Sequence, residues 1–220
     1  MKIISISGPA GAGKDTSALI IKKLLGWDKV NICSFAYKLK SVCQKVFGLN
    51  DRETWGDLKD APFKELVLFS SIDAREILRQ YEMLDKFLEA DTKMWSHTPR
   101  FFKTPREIFQ YIGSEFLRSF DDRVHLKSLP LVLSKVNIIP DTRFDNELVF
   151  LMRMATTYWY CVEKNFLPFY ISRGCAPGVP KHQSEQLESN HFPFEVVDNS
   201  GSIEELEGRL AHIVTPWVKR

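Results

Sequence analysis

The stretch SISGPAGAGKDT, residues 5–16, holds the residue types that bind phosphate. Gly8, Gly11 and Gly13 remove side chains where a backbone must curl so that successive N–H groups converge on an anion. Lys14 adds a point charge suited to the β- and γ-phosphates of a nucleotide. Asp15 is the odd letter, because a Ser or Thr hydroxyl that meets Mg²⁺ ordinarily follows this lysine.

Three further stretches carry polar groups in chemically useful patterns. In PDTRFDNE, residues 140–147, Asp141 closes a short strand. In an open α/β sheet that position borders the ligand crevice. Asp141 can there hold Mg²⁺ through water or orient an attacking group, and Arg143 can bind a substrate phosphate. The plainer reading makes Asp141 a turn residue and Arg143 its ion-pair partner. In TPREIFQYIGSEFLRSF, residues 104–120, Arg106, Gln110, Ser114 and Arg118 recur at i, i+4 and line one stripe of a helix. Arginines suit a phosphate and an amide suits a base edge; a solvated polar face explains the same spacing. In SRGCAPGVPKHQSEQ, residues 172–186, Arg173 and Lys181 sit in a Gly- and Pro-punctuated segment able to act as a lid or to be an ordinary surface loop. His182 lacks a second His or Cys at a ligand spacing, so no zinc site is indicated.

These groups need elements to position them. Ile3, Ile4 and Ile6 predict a buried strand that feeds the glycine loop, and Ala18, Leu19, Ile21, Leu24 and Leu25 predict a helix that opens from it and ends at Gly26. A strand, a loop and a helix N-terminus are the context that a phosphate-binding P-loop requires. Further strands are predicted over 30–35, 136–139, 158–162, 166–172 (interrupted by Pro168) and 195–197. Helices are predicted over 36–47, 66–69, 77–88 and 104–120. The last has Thr104 as N-cap, Pro105 at the first helical position and Glu107 completing a capping box. Alternation of strands and helices implies an α/β fold, a parallel sheet with helices on both faces. The chain reads as one domain with insertions.

The 220 residues, 44% of them hydrophobic, can bury a sizeable core. The formal charge of +2 is nearly neutral and gives no argument for a nucleic-acid or membrane surface as main partner, so neither is expected. Cys33, Cys43, Cys161 and Cys175 are widely spaced and read as reduced thiols of a cytoplasmic protein. The apolar N-terminal run ends in the glycine loop and lacks a signal-peptide pattern.

The motifs GKDT, SFAYKLK, TPREIFQYIGSEFLR, DTRFDNE, HQSE and DNSGSIEEL occur in an order that resembles the bacteriophage-type deoxynucleoside monophosphate kinases of the P-loop nucleoside monophosphate kinase superfamily. The resemblance runs from residue 5 to about 206. It implies a P-loop NTPase fold with an acceptor-nucleotide region over about 49–120 and a lid over about 164–187. It implies transfer of the ATP γ-phosphoryl group to a deoxynucleoside monophosphate, with Mg²⁺ required, and it leaves a homodimer open. Gly8, Gly11, Gly13, Lys14 and Thr16 are then expected at ATP, with Thr16 on an α- or β-phosphate oxygen and Asn199 near the adenine. Arg106, Gln110 and Arg118 are expected at the acceptor nucleotide, Arg143 at the acceptor or transition state, and Arg173 and Lys181 in the lid. Asp15 becomes a family form, a carboxylate near Mg²⁺ that acts through water beside Asp141. Lys164, Pro140 and Asp145 depart from the family pattern, which expects Arg at 164 and often Pro at 145.

Two other readings share the P-loop. One is a different small-molecule kinase, resembling dephospho-coenzyme A kinase or phosphomevalonate kinase. The other is a non-catalytic ATP-binding module, which has no use for the arginine stripe. A GTPase is disfavoured because no N-K-x-D motif occurs.

Overall fold

Alternating apolar runs and amphipathic periods produce fifteen named elements in the computed structural model, which describes residues 1–86, 100–156, 165–173 and 193–219. In chain order these are β1 (Lys2–Ser7), α1 (Lys14–Leu25), β2 (Val30–Ile32), α2 (Ala36–Phe47), α3 (Asp51–Thr54), β3 (Val67–Phe69), α4 (Ser71–Gln80) and β4 (Arg100–Phe102). There follow α5 (Pro105–Gln110), α6 (Leu117–Phe120), β5 (Val136–Ile139), α7 (Asp145–Thr156), β6 (Phe166–Ser172), β7 (Glu195–Asp198) and α8 (Ile203–Lys219). They form two compact units, one of Met1–Phe35 with Leu129–Arg220 and one of Ala36–Ser128.

The first unit is an α/β layer structure consistent with a P-loop NTPase fold. Its five strands are parallel, in the order β2-β5-β1-β6-β7, and helices flank them. Strand alternation sends Ile4 and Ile6 to one face and Ile3, Ser5 and Ser7 to the other. Ile4 and Ile6 join Phe169, Ile171 and Val197 in a core closed by Ala18 and Ile21 of α1 and by Leu206, Leu210, Val214 and Trp217 of α8. Each such side chain contributes about 1.5–3 kcal/mol when fully buried. Helix α7 lies against β1 and β6 and buries Leu148, Leu151 and Ala155. At the sheet's start Lys2 Nζ donates to the carbonyls of Trp217 (3.0 Å) and Val218 (2.8 Å), tying β1 to the end of α8.

Pro168 does not interrupt β6, contrary to expectation. It pairs with Ser5 of β1, while β7 joins β6 only from Phe169 onward, so the missing N–H falls where β6 has a neighbour on one side alone. Strand β2 is shorter than predicted and ends at Ile32. The strand expected over 158–162 lies outside the described residues.

The second unit packs α2, α4, α5 and α6 with the antiparallel pair β3–β4. Residues 66–69 are not helical as expected. Leu68 is exposed and Phe69 is buried, and that two-residue period seats Phe69 among Phe102, Tyr111 and Phe116. Helix α4 starts earlier than predicted, because Ser70 and Asp73 form a reciprocal capping box that fixes its first turn.

Candidate phosphate-binding site

Strand β1 sits at the centre of the sheet between β5 and β6, so the chain leaves its carboxyl end where the direction of strand connection reverses. The loop that follows has three left-handed glycines, Gly8 (φ 138°), Gly11 (φ 74°) and Gly13 (φ 94°). Gly8 is required for a second reason. A Cβ there would stand on the carbonyl oxygen of Ile171, part of the adjacent β6. Gly13 is the N-cap of α1, and no side chain caps that end. A helix N-terminus without a side-chain cap turns main-chain N–H groups and the partial positive charge of the helix dipole toward an anion. Ser17 turns the other way and returns its N–H (2.8 Å) and Oγ–H (2.9 Å) to Gly13 O.

Lys14 folds its ammonium over the loop and donates to Gly8 O (2.8 Å) and Pro9 O (2.7 Å). Those two carbonyls hold the cation at the glycine loop. Asp15 and Thr16 are exposed on the first turn of α1.

Asp141 follows β5, the neighbour of β1, and Ser5 and Ile139 are register partners just before the two loops. Its carboxylate is held on both oxygens. Ser34 Oγ donates to Oδ2 (2.6 Å) and Phe35 N donates to Oδ1 (3.1 Å), linking the ends of β5 and β2. The nearby Cys33 thiol is pushed up to about 12, by burial first and by the Asp141 charge second, and stays protonated at neutral pH. Glu147, 2% exposed, shapes the next turn by accepting from Arg143 N (2.8 Å) and Phe144 N (3.2 Å) at the start of α7. Spacing alone did not reveal Ser34 or Glu147, although both lie inside the quoted motifs.

Asn199 lies beyond β7. Its main-chain N donates to Ser172 O (2.7 Å), and its Nδ2 donates to Ala12 O of the glycine loop (2.8 Å). Arg173 is exposed at the end of β6, and Lys181 falls outside the described residues. Asp15 and Asp141 are the carboxylates of the two loop motifs; among the described residues no set of three or more His, Cys, Asp or Glu could hold a metal.

The stripe of Arg106, Gln110 and Arg118 belongs to the second unit, and its geometry differs from the expected continuous helix. Residues Tyr111–Phe116 form a π-helical turn between α5 and α6. A wider turn rotates the side chains after it, so i, i+4 spacing no longer keeps Arg106, Gln110, Ser114 and Arg118 in one line. Arg106 makes a two-point contact with Asp60, Nε to Oδ1 and Nη2 to Oδ2, the latter at 2.9 Å. The Arg106 hydrogen bond holds the Asp60 carboxyl below the usual carboxylate range. Arg118 Nη1 donates to Asp122 O (2.9 Å), and Gln110 is half-buried. Thr104 caps α5 as expected, accepting from Glu107 N (3.2 Å). The capping box does not close, because the Glu107 carboxylate accepts from Lys103 N (2.7 Å), one residue before the cap.

No protein-family model matches the chain. One whole-length similarity stands out. A protein of Acanthamoeba polyphaga mimivirus, named "Putative deoxynucleotide monophosphate kinase", is 25% identical over 234 residues, covering 97% of this chain and 96% of its own. The similarity therefore extends through both units and is not confined to the glycine loop. Among the described residues no helix is long and apolar enough to cross a membrane.

Proposed function

We propose that the protein is a deoxynucleoside monophosphate kinase, transferring the γ-phosphoryl group of ATP to a deoxynucleoside monophosphate to give the diphosphate and ADP. The observation that carries this reading is the uncapped N-terminus of α1 behind three left-handed glycines, with the Lys14 ammonium already folded over the loop. The mimivirus protein's name supports the acceptor class, and its coverage of both units supports an acceptor region as well as a donor site.

The loop N–H groups bind and orient the β- and γ-phosphates, and Lys14 neutralises the charge that builds on them as the γ-phosphorus is transferred. An acceptor phosphate oxygen forms the new P–O bond while the bond from the γ-phosphorus to the β,γ-bridging oxygen breaks, and ADP carries away that oxygen. The acceptor is already an oxyanion, so positioning and cationic screening suffice without a dedicated general base. Arg106, Gln110 and Arg118 bind the acceptor nucleotide, Arg143 steadies its phosphate or the transferring group, and Arg173 and Lys181 belong to a lid. In this reading residues of about 49–120 form the acceptor region of a single kinase domain, and the lid spans about 164–187.

Mg²⁺ fits the donor set. Asp15 is exposed at the first turn, and Asp141 is a carboxylate at the carboxyl end of β5, held in place by Ser34 and Phe35. Two carboxylates acting largely through water suit an ion that retains waters and takes its other oxygens from phosphates. When bound, that ion screens the β- and γ-oxygens. In this reading the protein works in nucleotide biosynthesis in the cytoplasm, that of the host cell if the protein is viral.

The test is ADP release from Mg²⁺-ATP with each deoxynucleoside monophosphate in turn, with AMP, dephospho-coenzyme A and phosphomevalonate as competing acceptors. Stimulation by one or a few deoxynucleotides is expected. Stimulation by dephospho-coenzyme A or phosphomevalonate alone would replace the acceptor class, and ATP binding without any turnover would favour a regulatory module.

A further inference from the structure

The resemblance expects Asn199 beside the adenine, yet its carboxamide is bonded to the phosphate loop itself. Nδ2 donates to Ala12 O (2.8 Å), across 187 positions of sequence. A trans peptide is planar, so the Ala12 carbonyl and the Gly13 N–H point in opposite directions from one rigid plane. Fixing the carbonyl toward Asn199 fixes the Gly13 N–H away from Asn199. Glycine imposes little resistance to rotation of that plane, so an outside contact has to set it.

The contact is built from both sides. A Cβ on Gly13 would collide with Asn199 Nδ2, so the glycine at 13 leaves the space the carboxamide occupies. The turn that presents Asn199 is braced in turn. Its own N–H bonds Ser172 O at 2.7 Å, and Asp198 accepts from Ser200 Oγ (2.7 Å) and from Arg209 Nη1 (2.9 Å). Ser202 and Glu205 then exchange bonds at the start of α8, Ser202 N to Glu205 Oε2 (3.2 Å) and Glu205 N to Ser202 Oγ (3.3 Å). A loop held by so many short bonds loses little entropy in holding a second loop.

We propose that Asn199 is a positioning residue of the phosphate cradle, which orients the Ala12–Gly13 peptide for the triphosphate and acts independently of the base. This rests on the reading of the glycine loop as a nucleotide site. Its signature is that removal of the carboxamide weakens any ligand of the cradle, with or without adenine.

Calorimetric titration of wild type, Asn199→Ala and Asn199→Asp with Mg²⁺-ATP, inorganic tripolyphosphate and adenosine tests this. Both variants should lose about tenfold in affinity for ATP and for tripolyphosphate alike, the worth of one oriented donor. Asn199→Asp should be no better than Asn199→Ala, since a carboxylate cannot donate to Ala12 O. In protein labelled with ¹⁵N-glycine, the Gly13 amide resonance should shift in both variants without any ligand. The half-exposed position of Asn199 makes folding of the variants the expectation, and their thermal midpoints serve as the control. A loss for ATP with tripolyphosphate unchanged would overturn the proposal in favour of an adenine contact. Unchanged affinity for both ligands would overturn it outright. Wild type that binds neither ATP nor tripolyphosphate would overturn the nucleotide-site reading beneath it, which is a separate result.

Discussion

Replacing the loop glycines one at a time by alanine should produce a graded loss of stability set by what each Cβ meets. Gly11, at φ 74°, has nothing within 4 Å of the added carbon. Its cost is left-handed strain of about 1–2 kcal/mol, partly offset by the restricted unfolded chain, for a net of about 1 kcal/mol. Gly8, at φ 138°, carries more strain, and its Cβ would also press on the Ile171 carbonyl, with Ile171 C at 3.3 Å. Ile171 is fixed in β6 between β1 and β7 and cannot withdraw. Strain of about 1–3 kcal/mol and a forced backbone shift of similar size give about 3 kcal/mol. Gly13→Ala falls between, adding a broken Asn199 bond of about 1 kcal/mol to its strain. Urea unfolding followed by tryptophan fluorescence measures the series. With an m-value of about 2 kcal/mol/M, the midpoint should fall by about 1.5 M for Gly8→Ala and about 0.5 M for Gly11→Ala. Equal shifts for Gly8→Ala and Gly11→Ala would refute the argument that β6 sets the need for glycine at 8.

Asp15→Asn should raise the Mg²⁺ concentration needed for half-maximal ADP release several-fold while protein stability stays within about 0.5 kcal/mol, because Asp15 is exposed; an unchanged Mg²⁺ titration would leave Asp15 as a favourable charge at the start of α1. Arg106→Ala should raise the acceptor KM about tenfold or more and leave ATP affinity unchanged, and an equal loss for ATP would move Arg106 to the donor. The Arg106–Asp60 pair is partly exposed, so its coupling in a double-mutant cycle should stay below about 1 kcal/mol at pH 7. Asp60 titrates lower in the folded than in the unfolded state, so that stabilisation is present above the unfolded value and fades as pH falls through the folded one. Cys33 and Cys43 are buried, and burial raises both thiols. A Cys161→Ser, Cys175→Ser variant should therefore resist a disulfide reagent at pH 8 until denatured, and rapid native reaction of two thiols would contradict the buried placement.

The glycine loop was legible because its information is local. Three glycines, a lysine, a strand before and a helix after lie within 25 residues, and each responds to a short-range rule. The parallel sheet was legible from alternating periods for the same reason. What sequence hid depends on distant partners or on competing periods. Ser34 and Asp141 meet across 107 positions, Arg106 and Asp60 across 46, and Asn199 and Ala12 across 187. The run at 66–69 is too short for its period to separate strand from helix, and pairing with β4 decides it. Helical spacing over 104–120 cannot announce a π turn. That turn buries Ile112, Gly113 and Phe116.

The most direct test is to follow Mg²⁺-ATP and a deoxynucleoside monophosphate by ³¹P NMR with wild type and Lys14→Ala. The account predicts deoxynucleoside diphosphate and ADP appearing in equal amounts with wild type, with little free phosphate, and a rate lower by at least about 10²-fold with Lys14→Ala. ADP accompanied only by inorganic phosphate, or diphosphate formed as fast without Lys14, would contradict it.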